Sequence, residues 1–377
     1  MTSVERDGEN VYSLGDLKVE QPKYSILSYT WGRWRVKGKE AATSAALPIN
    51  GTPWRVPPIE KDHFTVDTFR KVIQLMADVA GVSWVWADVG CIDQREDDPV
   101  SGFVNTQAPG EIGRQSSIYK NAAAAFVWLC GVRKSELSAA VDVLMQQGLD
   151  FISWAGDSSK REMMGAFPDD KVQDLAKSFD IILNDPWFSS IWTLQELVLR
   201  NDALVLAAEG EPVLWIRDEP HERRMYLIML ISFCKNAYTA IETTLAGRRS
   251  SPNNTSWKLS DQAESALRRI KQQILQAGIY CVFSTNPNVQ YGMARYRFAS
   301  FEEDRVYGIM QIYGLRLGKA ARPETKPTLR ELVREMAEAI NKMSPILGQY
   351  FVHTSASCPN VTWHITEQSF VPDDLMI

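Results

Sequence analysis

Several signatures that would announce a catalytic class are missing. The chain contains no GxxxxGK[ST], no GxGxxG and no GxSxG. Without them there is no phosphate-cradling loop, dinucleotide fingerprint or nucleophile elbow to build on. Histidine is scarce: His63, His221, His353 and His364 all lie outside the dense motifs, so a Ser-His-Asp or Cys-His nucleophile has no support. The five cysteines, Cys91, Cys130, Cys234, Cys281 and Cys358, show neither CxxC pairs nor ligand spacing to histidine. No metal site is expected from them. Their odd number and dispersion suit a reducing compartment. No apolar run approaches the roughly 20 residues that span a bilayer. The polar start, MTSVERDGEN, is not a secretory signal, so the sequon Asn253-Asn254-Thr255 carries little weight. A cytoplasmic location is expected. Net charge is -5 and the pI about 5.6, with no basic stripe to bind nucleic acid.

What is present is an ordinary globular composition. The 377 residues are 45% hydrophobic and 23% charged, enough for two domains or one with large insertions. Tyr24–Tyr29 of KYSILSYTWG reads as a buried strand ended by Trp31-Gly32. LPINGTPWRV suggests a hairpin at Asn50-Gly51. Thr65–Ala80 has helical spacing, with Val66, Phe69, Val72, Ile73 and Met76 on one face. VSWVWADVGCID is a second strand, Glu111–Asn121 a helix, and AAAFVWLCG a third strand. This alternation predicts an α/β layer with a mainly parallel sheet. Val132–Asp185 reads as an insertion with helices around Ser135–Gln147 and Asp170–Leu183. DALVLAAEGEPVLW adds a strand and a hairpin. Residues 216–377 are expected to form a mostly helical domain after an α/β domain over 1–215. Its helices are Glu222–Ala246, Trp257–Val282, EDRVYGIMQIYGL and PTLRELVREMAEAINKM, the last opened by a Thr328/Glu331 capping box.

Ligands of parallel sheets gather beyond the carboxyl ends of the strands. Those positions hold Tyr29, Trp31 and Gly32, then Asp88, Asp93 and Gln94, then Gly131. Asp88 and Asp93 are either ligand contacts or turn residues; Asp88, directly after WVWA, is the better candidate for function. Cys91 reads as a small buried residue. The segment SSIWTLQELVL is apolar round most of a helix, and Glu196 is its one charge. At about 100° per residue, Trp192 and Glu196 share a face, and Ile191, Leu194 and Val198 share another. A carboxylate there must be ion-paired, hydrogen-bonded or open to a cleft. Arg114, Arg200 and Lys120 are the plausible partners for an ion pair, and the residues alone do not choose between pair and cleft.

Taken in order, YSILSYTWG, WVWADVGCIDQ, EIGRQSSIYKNAAAAFVWLCG and DPWFSSIWTLQELVL resemble the successive motifs of the heterokaryon incompatibility (HET) domain family. The resemblance covers roughly Tyr24–Leu199, and FASFEEDRVYGIMQIYG resembles a segment often found downstream. Departures are Val89-Gly90 before Cys-Ile-Asp, where bulkier residues are common, and Gly113 in the helix that usually carries an Arg-Gln-Val pattern. The resemblance implies self/non-self recognition and induced cell death. It also implies a distant kinship with Toll/interleukin-1 receptor (TIR) domains, and so a TIR-like, flavodoxin-like sheet. SSIWTLQEL is similar to the TIR pattern Ser-x-Trp-Cys-x-x-Glu-Leu, with Thr193 in place of cysteine. In catalytic TIR domains that glutamate serves cleavage of the nicotinamide–ribose bond of NAD. Carried over, Glu196 takes the catalytic position. Tyr29, Trp31, Gly32 and Arg33 frame the nucleotide, with Asp88, Asp93 and Trp192 as further substrate contacts. NAD is then a substrate, no cofactor or metal is needed, and self-association is expected. The alternative is a signalling module without catalysis that works by homotypic assembly.

Overall fold

The computed structural model describes residues 5–6, 11–14, 17–20, 22–97, 100–101, 103–216, 223–250, 259–280, 282–284, 286–353, 365–366 and 369–371. The sequon, His221, His364, Cys281 and Cys358 lie outside them, as do Glu222 and Trp257, the expected starts of two C-terminal helices. Strands β1 (Glu5–Arg6), β2 (Val11–Leu14) and β3 (Leu17–Glu20) form an antiparallel ribbon. The central sheet follows: β4 (Tyr24–Ser28), β5 (Trp84–Trp86), β6 (Ala124–Trp128) and β7 (Leu204–Leu206). All its pairings are parallel, in the order β5-β4-β6-β7. Ile26 lies opposite Trp86 on one side and Ala125 on the other, and Val127 opposite Val205. The chain starts the sheet at an interior strand, adds one neighbour on one flank, then returns to the other flank. That reversal between β4 and β6 creates the crevice in which doubly wound sheets bind ligands.

Alternation along the strands sorts the core into two layers. Leu27, Tyr29, Phe126, Trp128, Leu204 and Leu206 meet Phe69, Val72 and Met76 of helix α1 (Val66–Ala80), with Trp54, Val56, Ile59 and Phe64 filling in. The predicted α1 face is the buried one, and Thr65 caps it by accepting from Thr68 N at 3.1 Å. Ile26, Ala125, Val127 and Val205 point the other way. They are covered by α2 (Gln115–Asn121) and α5 (Ile191–Leu199), with α3 (Lys134–Val143) and α4 (Asp169–Leu183) in the layer beyond. The same apolar cluster continues into α6 (Leu227–Ser250), α7 (Asp261–Ala277) and α8 (Leu329–Met343). The inserted helix α4 packs along α7, so one core runs on both sides of residue 215. No helix among the described residues is long and apolar enough to cross a membrane.

Local expectations fared unevenly. The Thr328/Glu331 capping box is present. No two-stranded hairpin forms around Asn50-Gly51, although Gly51 has φ 83°. Pro48 and Pro53 flank it and remove the donors a ladder needs. An isolated bridge between Arg35 and Ile59 closes this excursion instead. The helix expected over Glu111–Asn121 breaks at Gly113, into Gln107–Ile112 and α2. A Cβ on Gly113 would stand 2.8 Å from the Ala320 carbonyl oxygen, so only glycine allows that close approach. EDRVYGIMQIYGL is not one helix. It is a turn at Asp304–Tyr307 and a 3-10 turn at Met310–Tyr313, punctuated by Gly308 and Gly314. The strand after β7 doubles back through Ala207–Glu211 as a tight hairpin. It then pairs as β8 (Leu214–Ile216) with β9 (Arg223–Arg224).

Candidate active site

Helix α5 is fixed before its glutamate is reached. Asp185 is buried, and its carboxylate accepts from Trp187 N at 2.9 Å and from Gly131 N, beyond β6, at 2.8 Å. It ties the turn Pro186–Ser189 to the carboxyl edge of the sheet. Burial pushes its carboxyl up to about 6, against the pull of those two N–H groups. Arg297, also buried, donates from Nη1 to the Trp187 and Ser190 carbonyls at 3.0 and 3.1 Å and to Thr193 Oγ1 at 3.2 Å. Ile191, Leu194 and Leu197 then lock one side of α5 into the core.

Gln195 is fully buried and belongs to a network of amides. Its Nε2 donates to Gln115 Oε1 at 2.9 Å, and its Oε1 accepts from the Gln311 backbone N–H at 3.1 Å. Gln311 in turn donates to the Gly113 and Leu315 carbonyls at 3.1 and 2.7 Å. Three segments far apart in sequence share one set of hydrogen bonds, which fixes the rotation of α5.

That rotation brings Glu196 to the end of β4. The Ser28 hydroxyl donates to Glu196 Oε2, and Ser28 Oγ accepts from Trp187 Nε1 at 2.7 Å. The Tyr119 hydroxyl lies beside the same carboxyl group. Glu196 keeps partial exposure, yet the crowding around it is enough to push its carboxyl up to about 8. Burial is the main cause. The Asp88 charge adds to it, and the hydrogen bonds from Ser28 and Tyr119 oppose it. Among the described residues no basic side chain lies within ion-pair distance. Arg114 pairs with Glu111 at 2.8 Å. Arg200 pairs with Asp202 at 2.8 Å and donates to the Tyr119 and Ala122 carbonyls. Lys120 is exposed.

Asp88 completes the cluster. It accepts from Trp31 Nε1 at 2.6 Å and from Val89 N at 2.7 Å. Burial raises its pKa in spite of both. The buried Tyr29 hydroxyl faces it without reaching hydrogen-bond geometry, and burial and that charge raise the phenol strongly. Two partly exposed carboxyl groups therefore lie near one another at the carboxyl edge of the sheet, with no cation between them among the described residues.

The remaining expected residues divide. Trp192 lies on the Glu196 side of α5 and partners Asp304, whose carboxyl is pushed up to about 6 by burial while the indole holds it down. Arg33 is exposed at the rim, 3.4 Å from Ser189 Oγ, with its guanidinium 4.6 Å from the Phe298 ring centroid. Gly32, between Trp31 and Arg33 in the chain, is exposed, with nothing near it that a side chain would meet. Asp93 is not brought to the cluster. Its buried carboxylate is held by Arg95 through Nε at 3.0–3.1 Å and Nη2 at 2.5 Å. Despite burial, that pairing sets its pKa below the ordinary range. Here the turn role considered for it prevails. Cys91 is part-buried, and burial pushes its thiol up to about 12, which disfavours the nucleophilic thiolate.

Ser28, Tyr119 and Asp304 were not singled out in the sequence. Ser28 left a usable trace, being a polar residue at the carboxyl end of a buried strand. Tyr119 left none, since an aromatic at helical spacing is indistinguishable from core. No group of three or more His, Cys, Asp or Glu among the described residues could hold a metal.

Comparison with known proteins yields one match. No curated protein and no solved structure matches at a significant level. Residues 24–196, from the first residue of β4 to the cleft glutamate, match the family model described as Heterokaryon incompatibility protein (HET). The cluster just described draws Ser28, Asp88, Tyr119, Trp187 and Glu196 from that one span, and it is this stretch, 24–196, that matches the heterokaryon incompatibility family.

Proposed function

We propose that this chain is an effector of self/non-self recognition and cell death that hydrolyses NAD at the nicotinamide–ribose bond. One observation carries the reading: Glu196 is a partly exposed carboxyl at the carboxyl edge of the sheet, lacking a cation among the described residues and set beside Asp88. Cleavage of an N-glycosidic bond develops positive charge on the ribose, which a carboxylate pair in a poorly solvated cleft stabilises. Nicotinamide leaves readily from its cationic form, so no strong acid is required. Ser28, itself held by Trp187, orients the Glu196 oxygen. Trp31 and Trp192 are the aromatic walls for the base. The strand order, shared with flavodoxin-like doubly wound sheets, supports the TIR-like part of the reading.

The raised pKa fits this role. A cationic pyridinium entering between two carboxyl groups draws off the Glu196 proton and restores the charge the reaction needs. Self-association belongs to the same proposal. The non-catalytic alternative would make Glu196 a structural ion pair, and Arg114, Arg200 and Lys120 do not form one. In the decisive experiment the purified full chain is given NAD and released nicotinamide is measured. Turnover is expected in the wild type and absent in Glu196→Ala. A folded Glu196→Ala protein with undiminished turnover would sink the assignment, and activity on other nucleotides alone would redirect it.

A further inference from the structure

The rim of the cleft carries a charge of opposite sign to its floor. Arg33 lies two residues after Trp31, whose indole binds Asp88, so its backbone is tied to the carboxylate cluster. Its guanidinium lies over Phe298, with Trp34 on its flank at 5.6 Å. Its polar contact is the long one to Ser189. Every acidic side chain of the cluster is otherwise engaged, and no described carboxylate pairs with Arg33. Arginine held by stacking keeps its planar fork free for a bidentate anion.

Phe298 is placed there by the backbone. Its N–H donates to the Ser189 carbonyl at 2.6 Å, and its carbonyl accepts from Ile191 N at 3.0 Å. Phe298 is 51% exposed, a large apolar ring open to solvent whose one described ring contact is Arg33. Ser189 closes the turn before α5 and Glu196 lies in the second turn of that helix, so Arg33 and Glu196 stand at different points along one edge. A ligand spanning them needs a cationic or neutral ring at the carboxylate end and an anion at the other.

We infer that Arg33, braced by Phe298, is the anchor for the phosphate groups of the substrate. It selects phosphate-bearing nucleotides over the bare nucleoside. Phe298 lies outside the span 24–196, so the C-terminal half supplies part of this subsite. The inference rests on the proposed NAD cleavage but is separable from it.

The test uses the full chain and three substrates with the same leaving group: NAD, nicotinamide mononucleotide and nicotinamide riboside. In Arg33→Gln, kcat/KM for the two phosphate-bearing substrates should fall roughly 10- to 100-fold more than for the riboside, the range for one charge-assisted hydrogen bond. The loss should appear in KM. Arg33→Lys should recover part of it, and Phe298→Ala should show a smaller loss of the same kind. An equal loss on all three substrates, or none, overturns the anchor. Calorimetric binding of ADP-ribose to wild type and Arg33→Gln reads the anchor without catalysis. If no substrate turns over but ADP-ribose binding is weakened by the substitution, the anchor stands and the NAD reading falls. If ADP-ribose binds equally to both, or to neither, the anchor falls. Arg33 is exposed, so an unchanged melting temperature is expected to confirm the fold.

Discussion

Gln195 and Glu196 are neighbours on one helix and live in opposite circumstances. Gln195 has no exposure, and its amide is engaged at both ends by Gln115 and by the Gln311 backbone. Glu196 is partly exposed, and burial with the Asp88 charge makes its ionisation unfavourable. One side of α5 is fully satisfied and holds the helix in register. The other side is left in tension. A helix serving only the core would show the first pattern all round. The contrast separates what positions the chemistry from what performs it.

Four substitutions press on that contrast. The largest effect is expected for Glu196→Ala: nicotinamide release should fall roughly 1,000-fold or to background, with the circular dichroism spectrum unchanged. Gln195→Leu should do the reverse. It orphans the Gln311 N–H and the Gln115 carbonyl oxygen, so denaturant unfolding should show a loss of about 2–4 kcal/mol. The remaining folded fraction should turn over normally when assayed well below its midpoint.

A third test is of pH. The folded pKa of Glu196 is raised, so the native state retains a proton that the unfolded chain has lost. Its contribution to stability is fully present below the unfolded value of about 4.5 and is lost as pH rises through about 8. Melting temperature should therefore decline across that window, and Glu196→Gln should flatten the decline. At pH 9 the variant should be more stable than wild type by on the order of 2 kcal/mol, allowing for partial exposure. In wild type, kcat/KM should climb until pH about 8 and then level, following ionisation of the free site. The smallest effect is reserved for Asp93→Asn. Its carboxylate is stabilised by Arg95, so neutralising it should lower the melting temperature slightly, the opposite sign to Glu196→Gln.

The sequence disclosed the layers better than the meetings between them. The apolar runs of the strands and the helical spacing of Phe69, Val72 and Met76 told which segments are buried, because burial acts on each residue singly. The isolation of Glu196 was visible for the same reason: one charge in an apolar helix must have a special environment. Its partners were not visible. Ser28 lies 168 positions away, and no local period encodes such a pairing. Asp88 and Asp93 looked alike as acids after a strand, and only the reach of Arg95 distinguishes them. The turn at Gly51 had the right dipeptide, but the prolines around it decide the backbone. Gln311 belongs to a stretch that reads as one amphipathic helix, and its glycines redirect the backbone N–H toward Gln195.

The apolar cluster that joins Ile26 to Val371 bears on how such proteins recombine. The matched family span and the unit that folds are different lengths of chain. Residues 24–196 moved alone into another context would carry α4 without α7 against it, and α5 without Arg297 or Gln311. Inheritance of the motif and inheritance of a stable fold are separate events here. Any new gene fusion that keeps this cleft working must also bring along, or replace, the helices that close its floor.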